Sequence, residues 1–483
     1  MRRFGRHLAA AGARARLVAA ATLVAFAVPG CGGDDPASAP RATSTVHATL
    51  VDRDGDGFLE RGPGEPLTGP AGGRVLATFG QLTDTHVRDE ESPARVPFLD
   101  RLGPPLTSTF RPHEAFSTQV LDAAVRALAR ERPQAVVITG DIVDSAQENE
   151  LDQALATLRG DVVRPDTGGP GYDGVQAASN PDPFYFRPDH DAPRHPGAVA
   201  AAQRRFHAAG LHVPWYPAVG NHDVLVQGEV PATGAIEEVA TGDRLVTGTD
   251  PSFQPPTLDE GEAPAAVRAL LTEGELFGRA ETVPADPARR HLASAELVER
   301  LVAAAGVRPA TPRRLDYTFD LGPAVRGIVL DTADRAGGSR GVVTAEQVGW
   351  LRGQLTGDRW NVVFAHNPLE ASAGGEAALA LLDRAPRVAA VVSGNRHRNT
   401  IEPRDGYWLI GTASLADFPQ QSRMFRLRET NGGAVLETWM VDHDGRGLAG
   451  TARELAFLDA QGGRPQGFAG ERSDRNVRLS VQP

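Results

Sequence analysis

The stretch Ala135-Val136-Val137-Ile138-Thr139-Gly140-Asp141 decides the fold. A short apolar, β-branched run of this kind reads as a buried strand. The glycine after it lets the aspartate come close to whatever lies beyond the strand end. The pattern recurs on both sides. Val75-Leu76-Ala77-Thr78-Phe79 is a strand that delivers Asp84 and His86, and Val213 to Val219 ends at Gly220-Asn221-His222-Asp223. Further on, Gly327 to Leu330 ends at Asp331, Trp360 to Ala365 at His366, and Val388 to Val392 just before Gly394-Asn395-Arg396-His397.

Helical spacing lies between these runs. From His113 to Arg132 the apolar residues Val120, Leu121, Ala124, Val125 and Leu128 share one face, and Ala345 to Leu355 is a second helix. Tyr407 to Gly411, Met424 to Leu427 and Ala434 to Val441 read as strands. Alternation of strand, loop and helix predicts α/β layers. In such folds ligands bind beyond the carboxyl ends of the strands, and every candidate ligand in this chain sits at such an end.

The bulk numbers agree. The chain has 483 residues, 41% of them hydrophobic, enough for a sizeable core. Its net charge of −11 argues against a nucleic-acid-binding or anionic-membrane surface. Arg2, Arg3, Arg6, Arg14 and Arg16 flank the apolar run Leu17 to Val28, which is too short to span a bilayer. The run ends at Val28-Pro29-Gly30-Cys31, which resembles a bacterial lipoprotein cleavage site. The expected organisation is therefore a lipoprotein-type signal peptide over 1–30, a lipid anchor at Cys31 and a flexible tether over 31–45. A single main domain over 46–445 follows, with insertions near 161–208 and 223–314, and then an extension over 446–483. The protein is expected outside the cytoplasm, as a membrane lipoprotein or else secreted, touching the membrane only through its lipid. Cys31 is the only cysteine, which rules out an intrachain disulfide. The two insertions leave the chain beside the motifs, as walls of the site or as peripheral decoration.

The residues at the strand ends make an oxygen- and nitrogen-rich set. Two metal ions a few ångströms apart need a bridging carboxylate, with imidazole and carbonyl ligands to fill each shell. Asp84 and His86 alternate on an extended segment and can face one side. Asn221 and His222 are adjacent, so one can bind metal while the other faces a substrate. In order, the blocks Asp84-Thr85-His86, Gly140-Asp141, Gly220-Asn221-His222-Asp223, His366 and Gly394-Asn395-Arg396-His397 resemble the calcineurin-like metallophosphoesterase family. That family's pattern is D-x-H, G-D-x-x-D, G-N-H-[DE], a lone H and G-H-x-H. The flanking segments Gly62 to Pro66 and Phe418 to Arg423 look like an exported actinobacterial branch of it.

The resemblance implies a two-sheet α/β sandwich with flanking helices and a metal site at the strand C-terminal ends. It implies two divalent metal ions of the Mn, Fe or Zn class, with Asp84, His86 and His397 on the first, Asp141 bridging, and Asn221 and His366 on the second. His222 would protonate the leaving group and Asp223 would orient His222. The implied reaction is hydrolysis of a small phosphate mono- or diester by in-line attack of a metal-bound hydroxide. Asp144 stands where purple acid phosphatases carry a metal-binding tyrosine. Asn395 departs from the pattern, since the family places a second-metal histidine there. An amide carbonyl favours harder ions. This leaves three readings: altered metal preference, a loose second metal, or a non-catalytic surface binding protein on a degenerate fold.

Other features have plainer readings. Asp52 to Gly57 resembles the start of a calcium loop, but Pro63 stands where the closing glutamate belongs, so an acidic turn is expected. Arg423 is either a phosphate ligand or a surface arginine. His190, His195, His207 and His212 are expected on the surface, and Asp331 caps a loop or lies near the site.

Overall fold

Each apolar run becomes a strand in the computed structural model of the chain. It describes residues 43–70, 72–102, 109–249, 265, 268–269, 277–462 and 468–483. The leader over 1–30, Cys31 and most of the tether lie outside the described residues.

Beside the two-residue edge strand Thr43–Ser44, twelve strands form the two larger sheets among the described residues. They are β1 (Val75–Leu82), β2 (Ala135–Thr139), β3 (Trp215–Ala218), β4 (Tyr317–Gly322), β5 (Val325–Leu330), β6 (Trp360–Ala365), β7 (Val388–Ser393), β8 (Thr400–Arg404), β9 (Tyr407–Gly411), β10 (Gln421–Thr430), β11 (Gly433–Asp442) and β12 (Val477–Val481). In the first sheet the order is β11-β10-β1-β2-β3, with β12 on the outer side of β11. In the second it is β4-β5-β6-β7-β9-β8. The strands β1, β2 and β3 run parallel, as do β5, β6, β7 and β9. All their carboxyl ends therefore lie at one rim of each sheet. The protein is an α/β sandwich of two multi-stranded sheets with flanking helices.

Aromatic rings join the sheets. Phe79 of β1 stacks on Phe425 of β10, with centroids 5.0 Å apart, and meets Phe364 of β6 edge-on at 5.8 Å. Outside the first sheet lies α1 (Ser117–Glu131), whose expected apolar face is buried. It starts four residues later than its periodicity predicts, because Glu114–Phe116 tighten into a 3-10 turn. The second sheet is covered by α4 (Ala345–Gln354) and α5 (Gly375–Leu382), where Leu351, Ala378, Leu379 and Leu382 pack on Ile328, Val363 and Val391. Two more helices, α2 (Glu148–Arg159) and α3 (Ser294–Ala305), follow β2 and precede β4.

The described residues of the stretch 446–483, read as an extension, pack onto the first sheet and its helix. They supply α6 (Gly447–Gln461), which packs against α1, and β12, which pairs with β11. Small residues make this packing close: Ala449, Ala452 and Ala456 are all buried. Among the described residues no helix is long and apolar enough to cross a membrane.

Candidate metal centre

The strand ends converge as their sequence pattern implies, and the backbone is strained where they do. Asp84, His86, Asp141, Asn395 and His397 all lie at positive φ, at 49°, 40°, 47°, 67° and 52°. Such conformations cost roughly 1–3 kcal/mol each in a residue with a side chain, and they cluster at functional sites. The glycines that open two of the motifs are equally constrained. A Cβ at Gly140 would sit 2.6 Å from the His366 ring, and one at Gly220 would sit 2.1 Å from Asp141 Oδ1.

Two clusters result. In the first, His397 Nε2 lies 3.2 Å from His86 Nε2 and 3.3 Å from Asp84 Oδ1. In the second, His366 Nε2 lies 3.1 Å from both Asp141 Oδ2 and Asn221 Oδ1. Asp141 Oδ2 is also 3.7 Å from His86 Nε2, so this carboxylate stands between the clusters. Ligand atoms of Asp84, His86 and His397, and those of Asp84, Asp141 and His366, fall within 4.8 Å of one another. Asp84, Asp141 and His366 are buried, while His222 keeps 20% of its side chain exposed, at the mouth.

The outer hydrogen bonds fix which imidazole nitrogen faces inward. His86 Nδ1 donates to Asp144 Oδ1 at 2.9 Å, His397 Nδ1 donates to Asp417, and His366 Nδ1 donates to the Thr139 carbonyl at 2.7 Å. Each ring thus turns Nε2 to the centre. Facing lone pairs among carboxylate oxygens need a cation between them, and this set of imidazole, carboxylate and amide donors fits divalent metal ions. In the metal-free chain protons serve instead. Against the cost of burial, Asp141 and Asp84 push His366 up to about 10. Likewise Asp84 and Asp417 push His397 up to about 9. Burial and then His222 push His86 down to about 4.

His222 is placed to exchange a proton at the mouth. Its Nδ1 donates to the Asp144 carbonyl at 2.6 Å, leaving Nε2 free, and its backbone N–H donates to Asp141 Oδ1 at 2.9 Å. The expectation that Asp223 orients the His222 ring is corrected. Asp223 accepts instead from the backbone N–H groups of Ile142, Val143 and Gly220, at 2.8, 3.1 and 2.8 Å, and so braces the two loops that carry Asp141 and Asn221. Burial and then Asp141 push Asp223 up to about 7. Arg423 is corrected too. It is fully buried and donates to Thr412, Thr438 and Asn399, out of reach of a substrate. Asp331 accepts from Arg335 and the Leu315 N–H, as a loop brace.

Asn395 holds its place through its backbone N–H, which donates to both oxygens of Asp84 at 3.0 and 3.2 Å. Its side-chain oxygen accepts from Asn367 Nδ2 at 3.2 Å, which leaves one lone pair for a metal. The second insertion is a wall at its start. Gly228 accepts from Asn221 Nδ2, and Gln227 donates toward Asp144. The first insertion touches residues 89–91 through Thr167 and Asp173 rather than the ligands. Asp417 was missed from sequence. It lies past the carboxyl end of β9, a parallel strand like the others, and that position is the signal that could have found it.

A model of the family described as calcineurin-like phosphoesterase matches residues 77–399. The chain belongs to that family, whose members depend on two metals, and it is a phosphoester hydrolase. No curated protein matches it. Among solved structures it is similar to a dimetal phosphatase from Danio rerio, at 14% identity and TM-score 0.38, covering 76% of this chain and 97% of that one. It is also similar to a purple acid phosphatase from seeds of yellow lupin (Lupinus luteus), at 11% identity and TM-score 0.32, covering 81% and 55%. A third is GAP50, the anchor in the inner membrane complex of Plasmodium, at 11% identity and TM-score 0.28, covering 77% and 86%.

Proposed function

We propose that this chain is an exported metallophosphoesterase of the actinobacterial type, which hydrolyses phosphate mono- or diesters outside the cytoplasm. The observation that carries the catalytic part is the convergence of three imidazole Nε2 atoms on Asp84 and Asp141, with His222 at the open side. Asp84, His86, Asp141 and His397 would hold one divalent cation, and Asp141, Asn221 and His366 a second, with Asn395 adjoining it. When bound, such ions polarise phosphoryl oxygens and lower the pKa of water. The chain's own residues do the rest. Asp141 fixes the spacing of the clusters, and His222 Nε2 gives a proton to the leaving oxygen. The Asp144 carbonyl holds the His222 ring, and Asp223 braces the loops. Export rests on the arginine-flanked apolar leader and on Cys31 as lipid anchor.

The test is phosphate release by purified, metal-replete protein from a panel including p-nitrophenyl phosphate, its bis ester and nucleotides. Turnover of at least one is expected, and none across the panel would defeat the proposal. Palmitate labelling lost in Cys31→Ala would support the anchor, and labelling that persists would defeat it.

A further inference from the structure

Behind the first cluster lies a buried ionic clamp built by a segment that contains no ligand. Glu114 Oε1 accepts from Arg95 Nη1 at 2.6 Å, and Glu114 Oε2 accepts from Arg95 Nη2 at 2.9 Å and Arg88 Nη1 at 3.1 Å. Oε2 also accepts from the backbone N–H of Arg111 at 2.9 Å. From this centre two arms reach the histidines. On one side Arg88 Nη2 lies 3.0 Å from Asp144 Oδ1, the oxygen that holds His86. On the other, Arg111 grips Asp417 with Nε at 2.6 Å and Nη2 at 3.1 Å, and Asp417 holds His397. All six clamp side chains are nearly or fully buried, the most exposed being Arg111 at 7%.

Three guanidinium groups face three carboxylates, so the clamp is balanced in charge. Burying that many ions is a poor route to stability, since apolar replacements often do as well or better. A fixed geometry is what such a network supplies. An acceptor-only carboxylate on each Nδ1 sets the tautomer of His86 and of His397, and partners of this kind govern metal affinity. We propose that Glu114 and Arg111 are positioning residues that hold both histidine arms against each other and thereby set the affinity of the first metal. The inference rests on the two-metal reading above.

The test is a Mn²⁺ titration of the purified chain, with thermal midpoints of the metal-free proteins alongside. Glu114→Gln and Arg111→Lys are each expected to weaken the tighter site about 10–100-fold, with the weaker site changed less than about threefold. The double variant should fall well short of the product of the two effects, because both act through one network. Folded variants that bind Mn²⁺ like the wild type would overturn the clamp while leaving the two-metal reading intact. Equal weakening of both sites in step with the thermal midpoint would also overturn it, as a purely structural role. If Glu114→Gln does not fold, Arg111→Lys decides alone, because it keeps the charge and loses the two-pronged grip. Wild-type protein that binds no Mn²⁺ would overturn both readings.

Discussion

The two halves of the metal centre are built on different supports. His86 and His397 lean on carboxylates, Asp144 and Asp417, which are gripped by buried arginines. His366 leans on a backbone carbonyl, that of Thr139, and its Nε2 meets the Asn221 amide and the Asp141 carboxylate. A carboxylate behind an imidazole holds the ring by charge as well as by hydrogen bond, where a carbonyl holds it by the hydrogen bond alone. The first half thus has two imidazoles braced by carboxylates, and the second has one imidazole, braced by a neutral carbonyl, beside Asp141 and Asn221. One fold can therefore present a tight site and a loose one within a few ångströms, set by what stands behind the ligands.

Several measurements would break or sharpen this contrast. The largest effect belongs to neither half. His222→Ala should lower kcat about 10²–10⁴-fold with metal content unchanged, because it removes the proton donor at the mouth. Metal loss in that variant would place His222 among the ligands instead. Next, Asp417→Asn should weaken the tighter site about 10–100-fold in a metal titration and spare the looser one. If both weaken alike, the halves are not separately supported. The smallest effect, taken per unit, is in pH. His397, pushed up to about 9, and His366, pushed up to about 10, both hold a proton at pH 7 in the metal-free chain. Metal must displace it, so affinity falls as pH falls, by about tenfold per unit for each proton displaced. His86, pushed down to about 4, adds nothing above pH 5. Calorimetric titrations at pH 6, 7 and 8 should therefore give similar slopes for both sites. A flat first site would mean that His397 is not protonated in the metal-free chain.

Much of this was legible in the sequence because strand ends announce themselves. Ala135–Thr139, Trp360–Ala365 and Tyr407–Gly411 are strands with the bounds their apolar runs suggest. Gly140 and Gly220 mark the tight approaches. The supports were not legible, for a physical reason. Arg88, Arg95, Arg111 and Glu114 look like surface charges in a polar stretch, and only tertiary packing pairs them with Asp144 and Asp417. Asp223 misled for the opposite reason, since adjacency to His222 suggested a side-chain contact while its carboxylate turns to backbone N–H groups. Small residues hid α6, whose buried face is mostly alanine.

The most direct test of unequal halves is a two-site Mn²⁺ titration of the wild type beside Asn395→His. The wild type should show one tight and one weaker equivalent, and the variant should tighten the weaker one about tenfold or more, toward the first. Two equal sites in the wild type, or a weaker site that Asn395→His leaves unmoved, would contradict the account.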